Sequence, residues 1–266
     1  MKPESWSAAK CGAYLPKPKK SDHKYRRGVL GCITGSKQYP GAALLTTSSA
    51  LAVGIGMVRY FGPEEVKRAV VQNRPEVVIQ TGNVNAYLMG SGIPVKKSLL
   101  RKITMEMANR ADLPKVLDAG ALYLTGASKS PTIITPHAGE LADLLNVSSS
   151  SIENDPVYYA VDAARRFKVT VLLKGNKTVV ANENRVIQLP AATSWLATAG
   201  TGDVLAGILG ALLALNYGKV SKDNLIELGA TASYIHAQSA AHSSRGPIDA
   251  GKLIDHISKE VARLSK

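Results

Sequence analysis

Two hydrophobic periods alternate along this chain, and that alternation limits its fold more than any other feature. Short apolar runs of strand length recur at GVLGCITG (28–35), MVRYF (57–61), EVVIQ (76–80), AYLMGSG (86–92), KVLDAGAL (115–122), TIITP (132–136) and TVLLKG (170–175). Between them lie stretches with helical spacing at 41–54, 64–73, 95–109, 139–146 and 156–168. TVVAN and RVIQL (178–189) predict a hairpin around Asn182–Asn184. From Gly202 onward the pattern is helical, near 203–216, 223–242 and 249–264. Strands alternating with helices build right-handed βαβ units and a mostly parallel sheet covered on both faces. The hairpin adds a small antiparallel edge. The expected architecture is a three-layer α/β/α sandwich. A basic N-terminal arm at 1–22 precedes a single domain at 23–266, and no linker or repeat divides that domain.

Composition narrows the partners. The chain has 266 residues, 45% hydrophobic and 20% charged, enough for a sizeable core. Its net charge of +13 points to nucleic acid, an anionic membrane or a phosphorylated small molecule. Eight Lys and Arg fall within residues 1–27 against Glu4 and Asp22, and that segment reads as a solvated face. Aromatic residues are only 5%, too few for base-stacking platforms, and no nucleic-acid motif is present. A nucleic-acid-binding protein is therefore the alternative of another class. No apolar run reaches the length of a membrane span, and no signal-peptide stretch opens the chain. Cys11 and Cys32 make neither a disulfide framework nor a metal cluster. These features predict a cytoplasmic protein with no membrane and no nucleic-acid partner.

In open α/β sheets, ligands sit beyond the carboxyl ends of the strands. The polar and glycine-rich turns at 35–41, 90–92, 118–120, 135–140 and 174–178 all fall at such ends. The strongest chemical signal is ATAGTGDVLAGILGALLAL (197–215). Gly200 and Gly202 allow a backbone path whose N–H groups form a concave anion nest, and the following helix adds its positive N-terminal end. Asp203 stands in that helix's first turn. A carboxylate there is common for dipole reasons alone. Beside a bound phosphate it can also take a proton from an attacking hydroxyl. Lys174 and Gly175, at a strand end, would neutralise phosphate charge and let the backbone come close. His137, in the polar turn TPHAGE, is a candidate ligand contact. His23, His236, His242 and His256 have no partner pattern and read as structural or surface. Neither a P-loop nor a GxGxxG fingerprint is present. No metal-ligand spacing occurs, so a Mg²⁺ would arrive on nucleotide phosphates.

Six stretches together resemble the ADP- or ATP-dependent NAD(P)H-hydrate dehydratases of the ribokinase-like fold. They are 33–51, MGSG (89–92), LDAGAL (117–122), TPHAGEL (135–141), LLKGNKT (172–178) and ATAGTGDVLAGILGALLA (197–214), and the resemblance runs from about His23 to the C-terminus. It implies a substrate that is the hydrated form of NADH or NADPH, NADHX or NADPHX. Its ring hydroxyl is phosphorylated by ADP or ATP with Mg²⁺, and loss of phosphate restores the double bond. In this reading Asp203 is the catalytic base and a substrate contact. Lys174, Gly175, Asn176, Lys177, Thr178 and Gly202 bind nucleotide. Ala42, Gly92 and His137 face the hydrated nicotinamide. The resemblance also implies a homo-oligomer, a tetramer, and no companion epimerase domain is expected ahead of His23. Three departures bear on the contacts: Gly120 replaces a second aspartate, PAATSWLATAG lacks a Gly-Asn, and MGSGIP replaces a Gly-Pro-Gly turn. Ribokinase-like kinases of the hydroxymethylpyrimidine or hydroxyethylthiazole type share the GxGD helix start. TPHAGE and KGNKT favour the dehydratase over them.

Overall fold

The computed structural model describes residues 1–94 and 99–265. Among these, nine strands form one sheet: β1 (Glu4–Ser5), β2 (Val29–Ile33), β3 (Met57–Tyr60), β4 (Ala86–Met89), β5 (Lys115–Leu117), β6 (Thr132–Ile134), β7 (Thr170–Leu173), β8 (Val179–Ala181) and β9 (Val186–Gln188). Their order is β1-β9-β8-β7-β6-β5-β4-β2-β3. From β3 to β7 every pairing is parallel, and β7, β8 and β9 pair antiparallel. The expected mostly parallel sheet with an antiparallel edge is what the chain forms.

Ten α-helices accompany the sheet among the described residues: α1 (Ala8–Cys11), α2 (Pro40–Ala52), α3 (Glu64–Asn73), α4 (Leu99–Arg110), α5 (Ala138–Leu145), α6 (Ser149–Asn154), α7 (Pro156–Phe167), α8 (Thr201–Leu215), α9 (Leu225–Ser243) and α10 (Ala250–Leu264). The predicted helix at 95–109 is described from Leu99, and residues 95–98 lie outside the described residues. Apart from the exposed β1, the strands are largely buried on both faces, and their side chains sort by the pleat. Leu30, Cys32, Leu88, Val116, Ile133 and Leu172 join one core with α2, α8, α9 and α10. Ile33, Met89, Leu117, Ile134, Val171 and Leu173 join a second core with α5 and α7. Three layers result.

Two local readings are corrected. EVVIQ (76–80) is not a strand. A turn in which Val77 N–H bonds the Arg74 carbonyl, and the Arg59 guanidinium on the Gln80 carbonyl at 2.8 Å, curl the segment. Only Val78 then aligns, bridging Arg59 in parallel. The N-terminal segment is not wholly solvated. β1 pairs parallel with β9, and Trp6, Cys11 and Leu15 enter the first core. Lys2, Lys17, Lys19 and Lys20 remain exposed, so solvation holds for the charges and fails for the apolar residues between them. Arg185 fastens the segment by pairing with both Glu4 and Glu227. Cys11 and Cys32 are separate buried thiols. No described helix is long and apolar enough to cross a membrane.

The position of α8 matters most for the site. Its Gly210 lies against Leu30 of β2 and Leu88 of β4. Its Gly207 crosses α2 so closely that a Cβ there would collide with the Thr46 carbonyl oxygen and Ser49 Oγ. The small residues let the helix run flat between sheet and α2, with its N-terminus at the carboxyl ends of the strands. Gly207→Ala sets two effects against each other. Helix propensity gains about 1 kcal/mol, and overpacking against backbone costs about 1–3 kcal/mol. The collision is with a carbonyl rather than a flexible side-chain end, so overpacking wins. Denaturant titration is expected to show a net loss of up to about 2 kcal/mol, and a gain in stability would contradict this packing.

Candidate functional site

The carboxyl ends of β4, β5, β6 and β7 deliver Ser91, Asp118, Thr135 and Lys174 to one place. Asp118 is almost fully buried, its side chain 4% exposed. Its carboxylate accepts from Ser91 Oγ at 2.8 Å, Thr135 Oγ1 at 2.7 Å and Lys174 Nζ at 3.1 Å. Lys174 Nζ also lies 3.7 Å from Glu140 Oε2. The Lys174 backbone is fixed too, its N–H donating to the Pro136 carbonyl at 2.8 Å and its strand bridging His137. His137 caps α5: its Nδ1 accepts from the Glu140 N–H at 3.2 Å, and Glu140 Oε2 accepts from the His137 N–H at 2.8 Å. This is a reciprocal capping box. Glu140 thus holds the helix start and faces the lysine at once.

Opposite stands the start of α8. Gly200 has φ +89° and packs against Leu45, a conformation that a residue with a Cβ adopts only under strain. Thr201 Oγ1 donates to the carbonyls of Leu196 and Thr198 at 2.8 and 3.0 Å, which locks the turn. Gly202 faces the lysine: a Cβ built on it would sit 3.7 Å from Lys174 Nζ. An ammonium and a helix N-terminus therefore meet across a gap open to anions.

Asp203 follows in the first helical turn, partly buried. Burial pushes its carboxyl up to about 7, the Asp118 charge adds to the rise, and Lys174 opposes it. Burial works against the Lys174 ammonium, but Asp118, Glu140 and Asp203 together hold its pKa above the usual lysine value. The site is one firmly charged cation among three carboxyl groups, one of which changes charge near neutrality.

A cavity of about 400 Å³ opens beside this cluster. Lys174, Gly175, Asn176, Thr178 and Gly202 line it, which is all of the nucleotide set except Lys177. Asn176 clasps the far wall, its Nδ2 donating to the Ala192 carbonyl at 3.1 Å and its carbonyl accepting from the Ala192 N–H at 2.9 Å. Lys177 faces a second cavity of about 630 Å³ with His137 and Glu153. Ala42 and Gly92 are packed together: Gly92 has φ +65°, and a Cβ there would overlap Ala42 Cβ. They line neither of these two cavities. One chain of contacts still joins the predicted residues. Gly92 follows Ser91, Ser91 and Lys174 both bond Asp118, and Lys174 bridges His137.

Several residues of this site have no assigned role in the sequence, among them Asp118 and His236. Asp118 stands in a turn marked as convergent, yet its buried partners come from β4, β6 and β7. His236 reads as structural or surface; its 8% exposure excludes the surface reading and agrees with the structural one, and it also lines the first cavity from α9. A single helix sequence does not show which cavity its buried face meets.

A sequence model of the family described as NAD(P)H-hydrate dehydratase matches residues 30–263. The chain belongs to the NAD(P)H-hydrate dehydratase family. It is 36% identical over 276 residues to a bifunctional NAD(P)H-hydrate repair enzyme of Mycobacterium leprae, covering 97% of this chain and 56% of that protein. The chain thus spans about half the length of the bifunctional relatives it matches. It is 32% identical over 210 residues to the ADP-dependent (S)-NAD(P)H-hydrate dehydratase of Neisseria meningitidis serogroup B, covering 72% of this chain and 71% of that one. Among solved structures it resembles the ADP/ATP-dependent NAD(P)H-hydrate dehydratase of Bacillus subtilis co-crystallised with ATP and Mg²⁺. That likeness has a TM-score of 0.86 at 26% identity and covers 99% of each chain. The sheet order and layers of this family member are those of the ribokinase-like α/β fold.

The raised Asp203 carboxyl has a stability consequence of definite sign. Its folded value, about 7, exceeds its ordinary 3.8, so the folded state binds this proton more tightly than the unfolded state. On this group's account stability falls as pH rises between those two values. Asp203→Asn removes the penalty. The variant is expected to melt higher than the parent at about pH 8, with the gap closing towards about pH 4. Equal melting temperatures at both pH values would contradict the buried placement.

Proposed function

We propose that this chain catalyses the nucleotide-dependent dehydration of (S)-NADHX or (S)-NADPHX to NADH or NADPH. The observation that carries the reading is the placement of Asp203, a carboxyl poised near neutrality within the field of Lys174 at the N-terminus of α8. Family membership supports it, as do the ADP-dependence of the Neisseria relative and the ATP and Mg²⁺ of the Bacillus structure.

The residues divide the work as follows. Lys174, Gly202 and the amides at the start of α8 hold the transferring phosphate, with Gly175, Asn176, Lys177 and Thr178 shaping the rest of the nucleotide site. Ala42, Gly92, His137 and Asp203 meet the hydrated nicotinamide. Asp203, ionised, accepts the proton of the ring hydroxyl as that oxygen attacks the terminal phosphorus. The bond from phosphorus to the nucleotide's bridging oxygen breaks, leaving AMP from ADP, or ADP from ATP. The carbon–oxygen bond then breaks, phosphate departs with its electron pair, a ring proton is lost and the carbon–carbon double bond returns. Charge developing on the transferred group is met by preorganised N–H donors and the ammonium.

A nucleotide brings further negative charge to a place that already holds Asp118, Glu140 and Asp203. The donor set is all hard oxygen, which suits Mg²⁺. Among the described residues no group of three or more His, Cys, Asp or Glu could hold a metal ion. The fit is therefore to an ion that phosphate oxygens would chiefly hold, and Glu140 or Asp118 would be the carboxylates to steady it. There Mg²⁺ would neutralise phosphate charge. The division into residues 1–22 and a catalytic domain at 23–266, the cytoplasmic location, the absence of nucleic-acid and membrane partners and a homotetrameric assembly belong to the same proposal. Light scattering tests the assembly.

The deciding experiment adds hydrated NADH and either ADP or ATP to the full chain and follows the reduced-nicotinamide absorbance band. A rise with at least one nucleotide is expected. A phosphorylated product without that rise would favour a small-molecule kinase and overturn the dehydratase reading. Asp203→Asn is expected to lower turnover by about 10²–10⁴ while nucleotide binding stays within a few-fold. The kcat/KM of the parent is expected to rise with pH through a limb near the Asp203 value of about 7. Unchanged turnover in the variant would remove Asp203 from the chemistry.

A further inference from the structure

The 174–178 loop stands between two cavities that lie on opposite faces of the sheet. The first, of about 400 Å³, is lined by Leu205 of α8 and by Ser233 and Ala237 of α9, the helices of the first core. The second, of about 630 Å³, is lined by Ala138 of α5, Ile152 of α6 and Pro156 of α7, on the side of the second core. Lys174, Gly175 and Asn176 line both. The two cavities therefore adjoin at the carboxyl ends of the strands, and they meet at the lysine around which the site is built.

The proposed reaction needs two ligands at once, and each carries phosphates. The donor nucleotide is placed by the start of α8, whose Thr201 and Gly202 line the first cavity. The hydrated ring must come to Asp203, the next residue along. Most of a dinucleotide is not its ring: beyond the nicotinamide and its ribose come a diphosphate and an adenosine. That remainder needs a place that the donor does not fill. The second cavity is the larger of the two, shares the Lys174 wall, and has in its lining His137, a residue of the proposed substrate side.

The charges there suit a phosphate. Of the two lysines in the lining, Lys174 is committed to Asp118 and Glu140. Lys177 lines the second cavity and not the first. It is exposed, and its side chain makes no hydrogen bond or ion pair among the described residues. Glu153 is the acidic side chain in the same lining, and it opposes an anion there.

We propose that the second cavity holds the diphosphate and adenosine half of the hydrated dinucleotide, with the Lys177 ammonium on one of its phosphates. This rests on the dehydratase reading for the identity of the ligand. It refines one part of that reading: the backbone of the 174–178 loop stays with the donor nucleotide, and the side chain of Lys177 serves the substrate.

Steady-state kinetics of the full chain test it, with ADP or ATP as donor. The substrates are hydrated NADH, hydrated NADPH and the hydrated reduced nicotinamide mononucleotide, which lacks the adenosine half. The parent is expected to show a kcat/KM for the dinucleotides at least about tenfold above that for the mononucleotide, because the adenosine half buries area that the mononucleotide lacks. Lys177→Gln is expected to raise the dinucleotide KM about fivefold, the worth of one charge contact at an exposed site, and to leave the donor KM within about twofold. Glu153→Gln is expected to lower the dinucleotide KM. The ratio of dinucleotide to mononucleotide kcat/KM does not depend on the folded fraction, so a destabilised variant still reports. A Lys177→Gln effect on both dinucleotides supports a contact to the diphosphate, and an effect on hydrated NADPH alone supports one to its 2′-phosphate. Equal kcat/KM for mononucleotide and dinucleotides in the parent overturns the proposal. So does a dinucleotide KM unchanged in Lys177→Gln, or a donor KM that rises as much as the dinucleotide KM. A dinucleotide KM that does not fall in Glu153→Gln overturns the placement of the phosphate. Failure of the parent to dehydrate any hydrated form with either donor overturns the dehydratase reading itself, a result separate from the others.

Discussion

The ion pair between Lys174 and Asp118 is the constraint on which the site depends. Both groups are largely withdrawn from water, and neither could stay charged there alone. Asp118 is satisfied by Ser91, Thr135 and Lys174, so its charge is fully paired and stays where β5 puts it. Lys174 is held at both ends, by Asp118 at its ammonium and by the Pro136 carbonyl at its backbone. The salt bridge and the two hydroxyl bonds on Asp118 together tie the ends of four parallel strands. It also sets the local potential. Asp118 helps raise the Asp203 carboxyl towards neutrality, and Lys174 keeps it from rising further.

That cluster would be idle without a helix aimed at it. The aim of α8 comes from absent side chains. Gly207 and Gly210 let it lie against α2 and the sheet, and Gly200 turns the chain sharply into its first residue. Gly202, in the first turn, then lies beside Lys174, a built Cβ falling 3.7 Å from the ammonium. The adjoining cavity is walled by the 174–178 loop, the segment after β9 and α9, and Asn176 clasps the first two walls together. Core packing and anion binding are here two consequences of one run of small residues.

Much of this is legible in the amino-acid sequence, because it rests on local rules. Fully buried parallel strands read as short apolar runs, and the helices between them read by their period. The hairpin at 178–189, the buried helix after Gly202 and the convergence of strand-end turns follow in the same way. The match of residues 30–263 to the dehydratase family accords with the motif resemblance. What was not legible depends on long-range partners. EVVIQ has strand composition but is curled by Arg59, which comes from β3. Residues 1–22 look like a solvated basic arm because their lysines dominate, while Trp6, Cys11 and Leu15 find burial only once α9 and α10 are in place. Short α6, capped by Ser148, falls below the length at which periodicity speaks. Asp118 and His236 owe their interest to neighbours on other elements, and no spacing in the chain announces those.

A crystal structure of this chain with a slowly hydrolysed ATP analogue and Mg²⁺ tests the central claim most directly. The account predicts terminal phosphate oxygens on the amides that begin α8, with the Lys174 ammonium swung from Asp118 onto the phosphate and the Asp203 carboxyl facing the vacant substrate side. A nucleotide whose phosphates lie away from Gly202, with the Lys174–Asp118 pair undisturbed, would contradict it.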